Sequence, residues 1–119
     1  MEFEDNKPIF LQIADIMLSM IIRKQWKVGE RIPSVRDLAV ELEVNPNTVM
    51  RSYAHLQESE IIFNKRGVGY FVGEVGFAKA KGLKKAEFVT QDLPQLFDKM
   101  DMLGMSIEEI IEMYNNRKS

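Results

Sequence analysis

Pro33-Ser34-Val35-Arg36-Asp37-Leu38-Ala39-Val40-Glu41-Leu42-Glu43-Val44-Asn45-Pro46-Asn47-Thr48-Val49 carries two helix starts separated by one short turn. Ser34 can cap the first helix through its hydroxyl, and Asp37, at the third helical position, favours the positive end of the helix dipole. Val35, Leu38, Ala39 and Leu42 then supply the i, i+3, i+4, i+7 stripe of a short amphipathic helix that stops at Glu43-Val44. The next helix starts at once, with Asn45 as N-cap, Pro46 at the first helical position and Val44 placed to staple against Val49. Val49, Tyr53 and Leu56 form its buried stripe, which turns Asn47, Met50, Arg51 and Ala54 outward. So tight a connection between two amphipathic helices predicts a helix-turn-helix.

Upstream, Pro8 can open a helix because its missing N–H is one of the unpaired groups of a first turn, and Ile9, Ile13, Met17, Met20 and Lys24 recur at helical spacing. This predicts a helix from Pro8 to about Gln25, ended by Arg23, Lys24, Lys27 and Gly29. Downstream, the period changes. Ile61 to Lys65 and Tyr70 to Val72 are β-branched and aromatic runs separated by Arg66-Gly67-Val68-Gly69, the pattern of a glycine-turned hairpin. Two strands alone are marginal, so the hairpin must pack on the helices.

Beyond Gly76 the chain reads as helical. Ala78 to Lys85 is a helix candidate weakened at Gly82 by about 1 kcal/mol. Leu93, Leu96, Phe97 and Met100 form one apolar stripe behind Asp92 and Pro94, ending at Gly104. Ser106 and Glu109 make a capping box ahead of a last stripe of Ile107, Ile110, Ile111 and Tyr114. Both helices are too short to be stable alone in water, so their apolar faces require a partner, either the rest of this chain or a second copy of it.

Composition bounds the function. The chain has 119 residues, 45% hydrophobic and 29% charged, which describes one globular domain, or one small domain with an appendage, and leaves little volume for a large enclosed ligand cavity. No small-molecule effector is assigned from it. The absence of cysteine excludes disulfides, thiolate metal sites and Cys nucleophiles and suits a reducing, cytoplasmic setting. His55 is the single histidine, so no His pair exists for zinc or proton relay. Glu108, Glu109 and Glu112 share one helix without a paired base and read as a solvated face. Neither an enzyme nor a metal- or cofactor-dependent protein is expected. The apolar run from Ile13 to Ile22 is broken by Asp15 and Ser19, so neither a signal peptide nor a membrane span is expected.

Net charge is −2, so nucleic-acid binding must rest on local placement rather than bulk charge. Three helices followed by a hairpin is the element order of a winged helix-turn-helix, whose third helix enters the major groove of double-stranded DNA while the hairpin, the wing, reaches a neighbouring phosphate strand or the minor groove. Asn45, Asn47 and Thr48 put short polar groups at the N-terminus of the reader helix, where side chains reach base edges and free backbone N–H groups can meet phosphate oxygens. Arg36 and Arg51 can fork onto phosphate or guanine, and Lys65 and Arg66 put cations at the wing. Each residue also has a plainer reading: Ser34 and Asn45 as caps, the arginines as solvated charges, Gly67 and Gly69 as turn formers.

The motifs Pro8-Ile9-Phe10-Leu11-Gln12-Ile13, Gly29 to Ala39, Val44-Asn45-Pro46-Asn47-Thr48-Val49 and Gly67-Val68-Gly69-Tyr70-Phe71-Val72, in this order over about residues 8 to 72, resemble the DNA-binding domain of GntR-type bacterial transcription regulators. Ile32 and Glu60 depart from that pattern, which has Leu before the Pro-Ser and Gly where Glu60 stands. The resemblance implies DNA contacts from Ser34, Arg36, Asn45, Asn47, Thr48 and the glycine-bearing wing, and Met50 stands where some members carry Arg. The helical tail, with Leu103 to Glu109, is similar to the YtrA subfamily, which implies a dimerisation tail in place of a large effector-binding domain and a setting often beside ABC transporter genes.

The expectation is thus a mainly α protein with a small β-hairpin, a winged helix-turn-helix (residues 1–75) followed by a short helical dimerisation tail (76–119). Its expected function is that of a homodimeric transcription regulator, a repressor, on a short palindromic operator. DNA-binding residues would be Ser34, Arg36, Asn45, Asn47, Thr48, Arg51, Lys65, Arg66 and Gly67. The dimer seam would take Leu93, Leu96, Phe97, Met100, Ile107, Ile110, Ile111 and Tyr114. The alternative is a winged-helix protein-interaction module that binds no DNA.

Overall fold

The structure, a computed structural model, describes Phe3 and residues 6–117; the chain ends of the expected domain division lie outside them. Helix α1 spans Ile9–Ile22 with Pro8 as N-cap, and the Pro8 carbonyl accepts the N–H groups of Leu11 and Gln12. It ends three residues short of the expected Gln25. Lys24 takes a left-handed φ of 61°, and the N–H groups of Gln25 and Trp26 both turn back onto the Met20 carbonyl. That reversal buries Trp26 in the core, a gain that outweighs further helical turns on an exposed surface.

Helix α2 (Val35–Leu42) and helix α3 (Pro46–Glu58) start where their caps predict. The Ser34 hydroxyl accepts the Asp37 N–H at 3.1 Å, and the Asn45 side chain accepts the Asn47 N–H at 2.8 Å. Between the helices, Glu43 adopts a left-handed φ of 57°, so that its own N–H and that of Val44 return to the Val40 and Ala39 carbonyls. Ile13, Met17 and Ile21 of α1, Leu38 and Ala39 of α2, and Val49, Tyr53 and Leu56 of α3 close one core with Ile61, Ile62 and Val72.

Strands β1 (Ile62–Lys65) and β2 (Gly69–Val72) pair antiparallel, Ile62 opposite Val72 and Lys65 opposite Gly69. The turn is shorter than expected. The Val68 N–H donates to the Lys65 carbonyl and Gly67 has φ 78°, so Gly69 belongs to the strand. Ile61 precedes the strand, its N–H donating to the Leu56 carbonyl and its carbonyl accepting from Gly73. Glu60 sits at φ 63°, a backbone region costly to residues with a Cβ.

The hairpin does not stand alone. The link between α1 and α2 runs along β2, with the Gly29 and Ile32 N–H groups donating to the Val72 and Tyr70 carbonyls, the Val72 N–H donating to the Glu30 carbonyl, and Arg31 opposite Phe71. This added strand segment anchors the wing to the base of α2.

Helix α4 (Gly76–Glu87) is longer than expected and tolerates Gly82 in its interior. By compactness the chain divides into a unit up to Gly82 and a second from Leu83 onward. In the first, Ala80 is buried and Phe77 packs on the core. In the second, the helical backbone does not break before Asp92; it continues through a π-helical turn (Phe88–Asp92) into helix α5 (Leu93–Leu103). Pro94 accounts for this: it has no N–H to give, and its ring would crowd a carbonyl one α-turn back, so a widened turn ahead of it relieves the clash. Asp92 remains αR and caps nothing.

Helix α6 (Ile107–Asn116) opens with the capping box read from sequence, the Ser106 hydroxyl accepting the Glu109 N–H and the Glu109 carboxylate accepting the Ser106 N–H. Among the described residues of the second unit only Met100 is buried. Leu96, Phe97, Met102, Leu103, Ile107, Ile111, Met113 and Tyr114 are exposed. The architecture is mainly helical with a two-stranded hairpin, a winged helix-turn-helix followed by a helical tail.

Candidate nucleic-acid interface

The α2–α3 turn sets the first part of the site. Asn45 accepts the Asn47 N–H with its side chain and those of Thr48 and Val49 with its carbonyl, while Pro46 has no N–H. The first turn of α3 therefore has no backbone donor to spare, contrary to the expectation from sequence; what it presents is side chains. Asn47 is exposed with its whole amide without a partner among the described residues, Asn45 keeps its amide NH2 free, and Thr48 is half-buried. An amide with both donor and acceptor free matches the donor–acceptor pair on the major-groove edge of adenine. The N-terminus of α2 differs: Asp37 and Leu38 donate to Ser34, but the N–H groups of Val35 and Arg36 have no partner among the described residues. The Arg36 side chain is exposed beside them.

Arg51, one turn into α3, lies with its guanidinium 4.1 Å from the Phe10 ring centre. Stacking occupies the face of the guanidinium and leaves the in-plane N–H donors directed outward, which orients the side chain before any ligand arrives. His55 is exposed on the same helix, its ring edge-on to Phe10 at 6.1 Å. Beneath them Ser52 is fully buried and donates to the Phe10 carbonyl at 2.6 Å, fastening α3 to α1. Ser52 was not singled out from sequence because it is polar, although it falls at the i+3 place of the stripe Val49, Tyr53, Leu56, and that spacing was the available signal of burial.

Tyr53 ties the other elements together. Its hydroxyl donates to the Pro33 carbonyl at 2.6 Å, directly before α2, and its ring meets Tyr70 of β2 edge-on at 4.8 Å. Burial pushes the Tyr53 phenol pKa well up, and Tyr70, Asp37 and Glu41 add to the shift, so the group stays a protonated donor. One side chain of α3 thereby fixes the start of α2, which carries Arg36, and the strand that ends the wing.

At the wing, Lys65, Arg66 and Gly67 are all exposed. Phe63 and Phe71 stack at 5.6 Å on the strands behind them. Arg31, not singled out from sequence, joins this group. Its guanidinium lies against Gly69 so closely that a Cβ there would approach Nε at 2.9 Å. The available signal was Gly69 itself, a second glycine beyond what the turn needs, at a φ of 142° that disfavours any side chain.

The residues expected from sequence to form a seam fall into two groups. Met100 is buried and Leu93 and Ile110 are half-buried, whereas Leu96, Phe97, Ile107, Ile111 and Tyr114 are exposed. Among the described residues no set of three His, Asp or Glu side chains is placed to hold a metal ion, and no helix is long and apolar enough to cross a membrane.

The model of the family "Bacterial regulatory proteins, gntR family" matches residues 10–72. The chain is 35% identical over 111 residues to the uncharacterized HTH-type transcriptional regulator YhcF of Bacillus subtilis, covering 93% of this chain and 90% of that protein. It is 33% identical over 108 residues to the HTH-type transcriptional repressor YtrA of the same organism, covering 90% of this chain and 82% of that one. A solved GntR family transcriptional regulator from Listeria monocytogenes superposes with a TM-score of 0.74 at 33% identity, covering 96% of this chain and 98% of the other. The chain belongs to the gntR family of bacterial regulatory proteins and is a transcription regulator, not an enzyme.

Proposed function

We propose that the chain acts in the cytoplasm as a homodimeric repressor that occupies a short palindromic operator. Helix α3 lies in the major groove with Asn47 and Thr48 at base edges. Arg36, Ser34 and the free N–H groups at the start of α2 meet the phosphates on one side, and the wing, with Lys65, Arg66, Gly67 and Arg31, meets those on the other. Arg51, held on Phe10, completes the grip, and Asn45 serves as cap and as donor. The observation that carries this reading is the tie made by Tyr53, which joins α3 to the start of α2 and to the wing strand β2.

The tail, residues 76–119 as read from sequence, supplies the dimer. Exposed Leu96, Phe97, Ile107, Ile111 and Tyr114, flanked by Leu93, Met100 and Ile110, form apolar faces that a second copy would cover. A two-fold dimer sets its reader helices about 34 Å apart, one turn of B-DNA, and mirrors that symmetry in the operator. Repression follows from occupancy of promoter DNA; the repressor YtrA, similar over most of both chains, supports this choice over activation.

Selection from a random duplex pool followed by footprinting tests the reading. Two symmetry-related half-sites should be protected one helical turn apart; a single asymmetric site would contradict the homodimer. Arg36→Ala should weaken binding to operator and random duplex alike and lower the dependence of log affinity on log salt by about one phosphate per half-site. An unchanged slope would remove Arg36 from the phosphate contacts.

A further inference from the structure

The outward face of α3 is polar or small at every inner position but one: Asn47, Arg51 and Ala54 surround Met50, which is 48% exposed. At 100° per residue, Met50 lies on the same flank as Asn47 and Ala54. Arg51 is drawn away toward α1 by its stacking on Phe10. Tyr53, turned toward Pro33 and Tyr70, places this flank on the side of α2 and the wing. Met50 is therefore a long apolar side chain left in water, bordered by an amide with free donor and acceptor and by a residue too small to block access.

We infer that Met50 reads the 5-methyl group of a thymine in each half-site, making it a specificity-determining residue; this rests on α3 lying in the major groove as proposed above. The thymine methyl is the one apolar feature that a major-groove base edge presents, and recognition of it takes an apolar side chain without donors. A methionine suits this contact because it is unbranched, adaptable and polarisable, and its burial against the methyl removes from water two surfaces that neither protein nor DNA otherwise covers. Ala54 leaves room for the side chain to lie along the helix, and Asn47, three residues earlier, is spaced to hydrogen-bond a neighbouring base pair. An arginine at this position would select guanine instead, so the residue here sets which base is read.

The test uses the full chain and the operator selected from random duplexes, each thymine replaced in turn by deoxyuridine, which differs only in lacking the methyl. Wild type should lose about fourfold in affinity when one half-site is altered at the thymine read by Met50, and about fifteenfold when both are, the equivalent of one methyl-sized group left unburied per half-site. Met50→Ala, a change at an exposed position, should bind the thymine operator more weakly, become indifferent to deoxyuridine at that position alone, and keep the wild-type salt slope. An operator without a fixed thymine in each half-site, indifference of wild type at every thymine, or undiminished discrimination by Met50→Ala would overturn the inference while leaving groove binding intact. Failure to bind any duplex would overturn both.

Discussion

Leu96→Asp or Ile111→Asp, placed singly in the full chain, should leave a monomer at micromolar concentration and weaken operator binding by about two to four orders of magnitude. Leu96 and Ile111 are among the exposed large apolar residues of a unit in which Met100 alone is buried among the described residues. Helices of 11 and 10 residues do not persist in water without packing. In the proposed dimer a second copy supplies that packing, and an aspartate inside the seam would oppose it by the cost of desolvating a charge with no partner. Affinity collapses for a separate reason: once one half-site is bound, the linked second domain meets its own at an effective concentration near millimolar, an advantage a monomer lacks. Sedimentation equilibrium reports the oligomeric state and gel shifts report affinity. Affinity for an isolated half-site should stay near that of the wild type. A dimer that survived both substitutions would place the seam elsewhere.

Tyr53→Ala should cost about 3–5 kcal/mol of stability, a substantial share of the roughly 5–15 kcal/mol that holds a domain of this size folded. The ring is fully buried between α3, the Pro33 carbonyl and Tyr70. Tyr53→Phe separates packing from hydrogen bonding. It keeps the ring, abandons the Pro33 carbonyl, and should cost about 1–2 kcal/mol. The phenol also makes stability depend on pH. Its folded-state pKa is raised by burial above the unfolded value near 10, so the stabilisation is complete below about pH 10 and declines as pH rises further, because the unfolded chain loses that proton first. Chemical denaturation in alkaline buffer should show this decline in wild type and a shallower one in Tyr53→Phe. Identical alkaline profiles would mean that Tyr53 does not stay protonated in the folded chain.

The caps and stripes of the helix-turn-helix were legible because each is a short-range signal: a hydroxyl or amide at the N-cap, a proline after it, apolar residues at helical spacing. Ser34, Asn45 and Ser106 each bond the N–H that their position in sequence specifies. What escaped the sequence depends on partners far along the chain. The early end of α1 is set by Trp26 seeking the core, and the strand-like path of residues 29–32 by pairing with β2. The π-turn before α5 comes from Pro94 acting on the turn behind it, where periodicity alone predicts a fresh helix start.

The candidate site divides in the same way. Asn47, Arg36, Arg51, Lys65 and Arg66 stand out as polar or cationic residues at the right offsets, and all are exposed. The seating of Arg31 on Gly69, the burial of Ser52 and the joining role of Tyr53 each link segments that are remote in sequence. The one misplaced chemical expectation concerned backbone donors: they are consumed at the start of α3 by Asn45 and remain at the start of α2. In the proposed complex, phosphate affinity would therefore fall to α2 and the wing, and base reading to the side chains of α3.

The affinity of the full chain for a duplex of random sequence, measured as salt is raised from low concentration, tests the central claim most directly. Measurable binding in dilute buffer, with log affinity falling linearly as log salt rises, is the predicted result, since Arg31, Arg36, Arg51, Lys65 and Arg66 would each displace counterions from the backbone. A folded chain with no affinity for duplex DNA at any salt concentration would contradict it.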